Sequence, residues 1–263
     1  MRGEDAGFLP AYSKEMKNTY PIADTVIQIC SLHERVHRLC SNYRTDDVPA
    51  DICITVTQSD IDDERAHSYR EKQLNGLPVI AHSDSYMEEL AVYRKIAEKV
   101  PFRDIVLMHG SCVAIDGEGY LFIAKSGTGK STHTRLWREL FGDRAVMIND
   151  DKPLIRIADD GAMIYGTPWS GKHHLETNCS VPLKAICILE RAEENTIHRM
   201  NAAEAYPFLL QQIYRPQDGA AMLKTMHLTD RLSQKVGLWR LGCNMDVTAA
   251  QVAYEAMKGS DVE

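Results

Sequence analysis

The chain predicts an α/β protein, with strands and helices mixed along one sequence, and three observations carry that expectation. Short apolar runs rich in β-branched and aromatic residues recur, such as Thr25 to Cys30 and Tyr120 to Ala124. Apolar residues at helical spacing mark other segments, most clearly Tyr86, Leu90, Tyr93 and Ala97. A glycine-rich loop, Ala124 to Thr132 ("AKSGTGKST"), stands between one such strand and one such helix.

In chain order, residues 1–18 are polar and poorly patterned and read as a flexible tail. Residues 19–100 read as an N-terminal α/β region. Its strands are Thr25 to Cys30 and Asp51 to Thr57. Its first helix is polar and exposed, opening near Ser59 and Asp62. Its second opens on Ser85, with Glu88 as the partner of a capping box. The texture changes near Pro101, and residues 101–200 read as the core that carries the loop. Strands "DIVLM", "CVAI" and "YLFIA" follow one another, with Asp116-Gly117 turning between the last two. A helix from Lys130 to Phe141 should stop at Gly142. "RAVMI" is a buried strand that ends on Asn149-Asp150-Asp151. "PLIRI" and "AMIY" make a hairpin, and "KAICILE" and "TIHRM" are expected to make another. Residues 201–263 read as mainly helical and packed on the core, with one strand, "VGLWRL".

Composition narrows the function classes. With 263 residues the chain can bury a proper core, and 44% apolar with 25% charged residues is ordinary for a globular protein. The net charge of -7 argues against nucleic acid and against an anionic membrane surface as partners. Seven cysteines, an odd number with no Cys-x-x-Cys pair, fit buried thiols better than disulfides or a zinc cage. No apolar run reaches membrane-span length and the N-terminus lacks a signal-peptide core, so the expected location is the cytoplasm.

The chemistry concentrates in two places. The loop follows the pattern Ala-x-x-x-x-Gly-Lys-Ser, with Ala124 where a glycine usually stands. Gly127 and Gly129 let the backbone curl so that successive N–H groups, from Ser126 to Thr132, line an anion nest. The N-terminal end of the following helix adds its positive pole. Lys130 would reach the outer phosphates of a nucleotide, and Ser131 would hold magnesium. Asp150-Asp151 close an apolar strand, the arrangement that brings a carboxylate to the metal beside the nucleotide. Two acids allow one to hold metal and the other to take a proton from an attacking hydroxyl. The bland alternative is a solvated turn. His109 lies upstream between two strands. Lys172, in "GTPWSGKHH", offers a cation to the transferred phosphate. Trp169 could stack on a base or substrate, but reads more simply as core. Lys152 and Arg215 are further cations. His173 and His174 would face opposite ways on a strand, which argues against a shared metal.

The ordered pieces "MHGSCVAIDGEGYLFIAKSGTGKSTHTRLWREL" and "VMINDD" resemble the catalytic domain of HPr kinase/phosphorylase, particularly the short HPr-kinase-like serine kinases. The resemblance spans about Ile105 to Arg191. It implies a phosphoenolpyruvate carboxykinase-like P-loop domain with a mixed, twisted sheet, and the hairpin running into the loop agrees, because a parallel βαβ unit places no tight hairpin there. It implies ATP and Mg2+ as cofactors, with Lys130, Ser131 and the Asp pair in the roles above and His109 near the reaction centre. Asp151 is paired with Ser131 at the metal, while the division of duties between Asp150 and Asp151 stays open. The expected activity is phosphoryl transfer from ATP to a hydroxyl, a serine of a protein or peptide. The alternatives are a small molecule such as free serine, or a non-catalytic nucleotide switch. A homo-oligomer is compatible with the resemblance. The segment "GTPWSGKHH" and the N-terminal region depart from the bifunctional enzyme.

Overall fold

The computed structural model of the protein describes residues 16–259, apart from Asp47 and Asn75. Strands Met16–Ile22 (β1), Thr25–Ser31 (β2) and Ile52–Thr55 (β3) form a small sheet of their own. β1 and β2 pair antiparallel, and β3 joins β2 in parallel. β1 begins inside the segment expected to be a tail. Its run Met16–Ile22 is largely polar and contains Pro21, so only its pairing with β2 marks it as a strand. Residues 1–15 lie outside the described residues.

Two helices pack on this sheet, and both start earlier than their sequence signals indicate. Gln58–Leu74 (α2, after the short helix α1 at Arg35–Leu39) is capped at Thr57, whose N–H donates to Asp60 Oδ2 at 2.8 Å. Ser59 and Asp62 therefore lie inside the helix. Asp84–Lys99 (α3) is capped by Ser83, whose Oγ accepts from the Tyr86 N–H. Glu88 closes no capping box. It is fully buried and accepts from the N–H groups of Leu32 (2.5 Å) and His33 (2.9 Å), which fastens α3 to the end of β2.

The main sheet carries the loop. Its strands are Ile105–Leu107 (β4), Ser111–Ile115 (β5), Glu118–Ile123 (β6), Ala145–Asn149 (β7), Leu154–Ile157 (β8), Ala162–Tyr165 (β9), Ser180–Arg191 (β10), Thr196–Arg199 (β11) and Gly237–Cys243 (β12). The order is β4-β8-β9-β10-β6-β5-β7, with β12 also on β10 and β11 on β12. The sheet is mixed: β6 and β12 both run parallel to β10, and the other pairs are antiparallel. The expected β10–β11 hairpin does not form. β12 inserts between them, because the intervening residues 192–195 let the chain step across one strand position to pair with the later strand.

Alternation along β6 sets the layers. Tyr120 and Phe122 face Trp137 of the helix Lys130–Phe141 (α4), with Ala253 and Met257 of the helix Thr248–Met257 (α7) in the same cluster. Leu121 and Ile123 share a cluster with Leu209 of Ala202–Gln212 (α5) and with Leu228 and Leu232 of Gly219–Ser233 (α6). The Leu, Ile, Phe and Met side chains among these contribute about 1.5–3 kcal/mol of transfer free energy each. The strand feeding the loop is thus clamped on both faces. A further cluster joins the small sheet and α3 to Ile105, Leu107, Leu154 and Tyr165 of the larger one, and to Trp169 in the segment after β9, so the core is continuous between them.

Candidate active site

Topology gathers the site at one edge of the sheet. β7 and β6 are both antiparallel to β5, which lies between them. The C-terminal ends of β6 and β7 therefore meet the N-terminal end of β5. Register places Ser111 level with Phe122, and Cys112 level with Asn149. The phosphate loop, the Asp pair and His109-Gly110-Ser111 converge for this reason.

The loop has the backbone its glycines permit, with φ of 77° at Gly127 and 124° at Gly129. α4 starts directly after it, and His133 N–H already bonds Gly129 O at 2.9 Å. Lys130 Nζ donates to Ala124 O at 3.3 Å, curling over its own loop. Burial lowers the Lys130 pKa, Lys152 lowers it further, and Asp151 and Asp150 oppose both. Arg191, at the end of the parallel neighbour β10, holds the loop from outside. It donates to Gly127 O at 2.5 Å and Thr128 O at 3.3 Å.

The two aspartates stand in different surroundings. Asp150 is buried, and its Oδ1 accepts from Ser111 Oγ at 2.6 Å. Ser111 Oγ in turn lies 2.9 Å from Thr134 Oγ1 on α4, the helix that also carries Ser131. Asp151 is partly open. Its Oδ2 accepts from Lys152 Nζ, and its Oδ1 lies 3.5 Å from His109 Nε2. His109 Nδ1 lies 3.2 Å from Gln212 Oε1, so the ring is held between Gln212 on one side and Asp151 on the other. Burial pulls the His109 pKa below the ordinary imidazole value, and the cations Lys130 and Lys152 add to this against Asp151 and Gln212.

Asn149 sets the turn between strand and carboxylates. Its Oδ1 accepts from the N–H groups of Asp151 (2.9 Å) and Lys152 (2.7 Å), and its Nδ2 donates to Thr167 O at 3.0 Å. Such an Asx turn satisfies the amides that a strand end leaves free. Gly110 N–H bonds Asp151 O at 3.0 Å, locking the His109 segment to the same turn.

A cavity of about 520 Å³ brings together His109, Ser126, Gly127, Gly129, Lys130, Ser131, Thr132, Asp150, Asp151 and Lys172. Thr128 does not line it. That residue faces the flank where Arg191 grips the loop. Trp169 is core, packed 6.4 Å from the Tyr93 ring. Arg215 lines a second cavity of about 720 Å³, which shares His109 and Asp151 with the first and also takes in Lys152. Ser111, Thr134, Asn149, Gln212 and Arg191 support the site without having been singled out. Asn149 before two aspartates is a readable turn signal, whereas nothing local in the sequence ties Arg191 to the loop.

The model of the family described as SynChlorMet cassette protein ScmC matches residues 87–240, more than half of the chain. The chain belongs to the ScmC family. The ScmC match begins in α3, takes in both cavities' central residues from His109 to Arg215, and ends in β12. Among solved structures, the Hpr(Ser) kinase/phosphatase from Coxiella burnetii is similar over 58% of this chain and 99% of its own, at 11% identity and a TM-score of 0.32. That likeness is too slight to support a shared fold or activity. No curated protein matches the chain. Among the described residues, no helix is long and apolar enough to cross a membrane.

Proposed function

We propose that this ScmC-family protein is a magnesium- and ATP-dependent kinase that transfers the γ-phosphoryl group to a hydroxyl, with a peptide or protein serine as the expected acceptor. The observation that carries this reading is the position of Asp151. It lines both the cavity of the phosphate loop and the adjoining larger cavity, a position that suits a carboxylate working between a donor in one and an acceptor in the other. A protein that only bound nucleotide would have no use for a second, open carboxylate there.

The donor set suits magnesium. Among the described residues no group of three or more His, Cys, Asp or Glu side chains forms a metal cage. Magnesium needs none, because it keeps waters and takes one or two carboxylates plus phosphate oxygens. Ser131, exposed in the first turn of α4, and Asp150 share the cavity and supply hard oxygen donors. When bound, the ion would neutralise charge on the outer phosphates. The sequence pairs Asp151 with Ser131 at the metal. The surroundings favour the opposite division: Asp150, held by Ser111 beside α4, for the metal, and Asp151 for the proton.

In the proposed step the acceptor oxygen attacks the γ-phosphorus, and a new O–P bond forms. The bond from the γ-phosphorus to the bridging oxygen breaks, and ADP leaves with its electron pair. The acceptor proton passes to Asp151, beside which His109 stays neutral and does not compete as a cation at neutral pH. Lys130, Lys172 and the loop N–H groups meet the charge that spreads over the phosphoryl oxygens. Positioning and charge neutralisation supply most of the acceleration in such transfers.

The test is transfer from labelled ATP to serine-bearing acceptors by the wild type, Asp150→Asn and Asp151→Asn, with nucleotide affinity measured in parallel. Asp151→Asn should transfer about 10²–10⁴-fold more slowly while keeping its affinity for nucleotide. Asp150→Asn should lose its response to magnesium. Tight binding by the wild type with neither transfer nor hydrolysis would make the protein a nucleotide switch instead.

A further inference from the structure

We propose that the 720 Å³ cavity is the acceptor site, and that it takes a hydroxyl carried beside a carboxylate, recognised by Arg70 and Arg215. The inference rests on the phosphotransfer reading above and adds the chemical class of the acceptor.

Location comes first. This cavity meets the phosphate cavity at His109 and Asp151 and nowhere else among its lining residues, so a ligand filling it reaches the site through the proton-accepting carboxylate. Its volume lies within the range of pockets that hold small molecules or a few peptide residues. Its walls are held by buried or shared contacts. Glu98 on α3 accepts from Tyr214 Oη (2.9 Å) and from Gln217 N–H (2.9 Å), pinning the segment after α5. Arg94 on α3 pairs with the buried Glu64 of α2 at 2.7 Å.

Charge supplies the class. Four of the lining residues are arginine or lysine: Arg70, Arg94, Lys152 and Arg215. Glu64 occupies Arg94 and Asp151 occupies Lys152. Arg70 and Arg215 are exposed and make no ion pair or hydrogen bond among the described residues. The acidic lining residue Glu71 already has a partner. Two uncommitted guanidinium groups in a concave site lined by four cations against the two acids Glu71 and Asp151 favour an anionic ligand, since guanidinium matches a carboxylate in a two-pronged geometry. In such a pose the acceptor carboxylate binds away from the phosphates, and its hydroxyl is left toward Asp151. The transfer itself balances as written above: the hydroxyl oxygen gains phosphorus, ADP leaves, and the proton goes to Asp151.

The carboxylate can come from a free amino acid or from acidic residues flanking a peptide serine, and the experiment separates the two. Full-length protein is first titrated with Mg·ATP. It is then assayed with labelled ATP on free L-serine and on three serine peptide pools flanked by acidic, neutral or basic residues, alongside Arg70→Glu and Arg215→Glu. Transfer to L-serine, or preferential transfer to the acidic pool, is expected. Each charge reversal should raise the acceptor KM tenfold or more, with kcat at saturation and Mg·ATP affinity unchanged. Transfer to L-serine alone identifies the amino acid as the source, and transfer to the acidic pool alone identifies the peptide. Equal use of all pools, preference for the basic pool, unaltered KM in both variants, or no transfer to any of these probes by a protein that binds Mg·ATP would each overturn the inference while leaving the nucleotide site standing. Absence of Mg·ATP binding would instead remove the phosphotransfer reading, and the inference with it.

Discussion

The loop cavity, proposed for the phosphates, and the larger cavity, proposed for the acceptor, are built differently. The phosphate side comes from one continuous stretch, residues 124–132, backed by a strand buried on both faces and a carboxylate at the end of β7. The acceptor side is assembled from α2, α3, the segment around His109 and the chain after α5, which meet only in the folded protein. A local loop can be rigid and general, since every nucleoside triphosphate presents the same phosphates. A surface assembled from distant segments can vary in any one of them and change its ligand without disturbing the other side. Asp151 is where the two sides meet, and the comparison predicts that substitutions should divide cleanly about it.

The largest effect should follow from breaking the phosphate side. Lys130→Ala removes the cation proposed to meet the outer phosphates and should lower transfer about 10³-fold with every acceptor alike, measured as kcat/KM for ATP. Removing the support beneath it should show in stability: Phe122→Ala empties a site between β6 and Trp137, whose ring lies 5.2 Å away, and should cost about 3–5 kcal/mol in denaturant unfolding. Arg191→Ala frees the loop carbonyls from their outer clasp. It should weaken ATP binding roughly fivefold, equivalent to about 1 kcal/mol, without altering acceptor KM. Gln212→Ala is its counterpart on the acceptor side. Loss of the Nδ1 contact frees the His109 ring, and transfer should fall by a similar factor while nucleotide affinity holds.

A pH series separates site from scaffold. His133, buried behind the loop with its Nε2 accepting from Trp137 Nε1, has its pKa pushed down to about 4 by burial. A depressed imidazole leaves the unfolded chain holding more protons than the native one between its two pKa values. Stability from this residue is therefore whole above about pH 6.5 and declines as pH falls toward 4, by about 3 kcal/mol in all. His133→Gln, which keeps an acceptor for Trp137, should flatten that slope in unfolding curves taken from pH 7 to pH 4. His109 is depressed in the same direction, so its protonation as pH falls should reduce turnover below neutrality by placing a cation beside Asp151.

The contrast also explains what could be read from the residues alone. α4 runs from Lys130 to Phe141 and ends on Gly142 as its sequence indicates, because loop, helix and cap signals all lie within a few residues of one another. The turn at Asp116-Gly117 and the β8–β9 hairpin were legible for the same reason. Signals of equal local appeal failed where a distant partner outbid them. Glu88 looked like a capping residue, but the buried amides at the end of β2 recruit it. β10 and β11 looked like a hairpin, but β12, nearly forty residues further along, takes the place between them. His109, Lys130, Ser131, Asp150, Asp151 and Lys172 were nameable because they sit in or beside recognisable motifs, and they share one cavity. Arg70, Gln212 and Arg191 carry no such mark, since their relation to the site exists only through tertiary packing.

The central claim is that the cup formed by residues 124–132 binds a nucleoside triphosphate with magnesium. Its most direct test is a calorimetric titration of the wild-type protein with a non-hydrolysable ATP analogue, with and without magnesium. The account predicts saturable one-to-one binding that weakens markedly when magnesium is withheld. Absence of binding under both conditions, or binding indifferent to the metal, would contradict it.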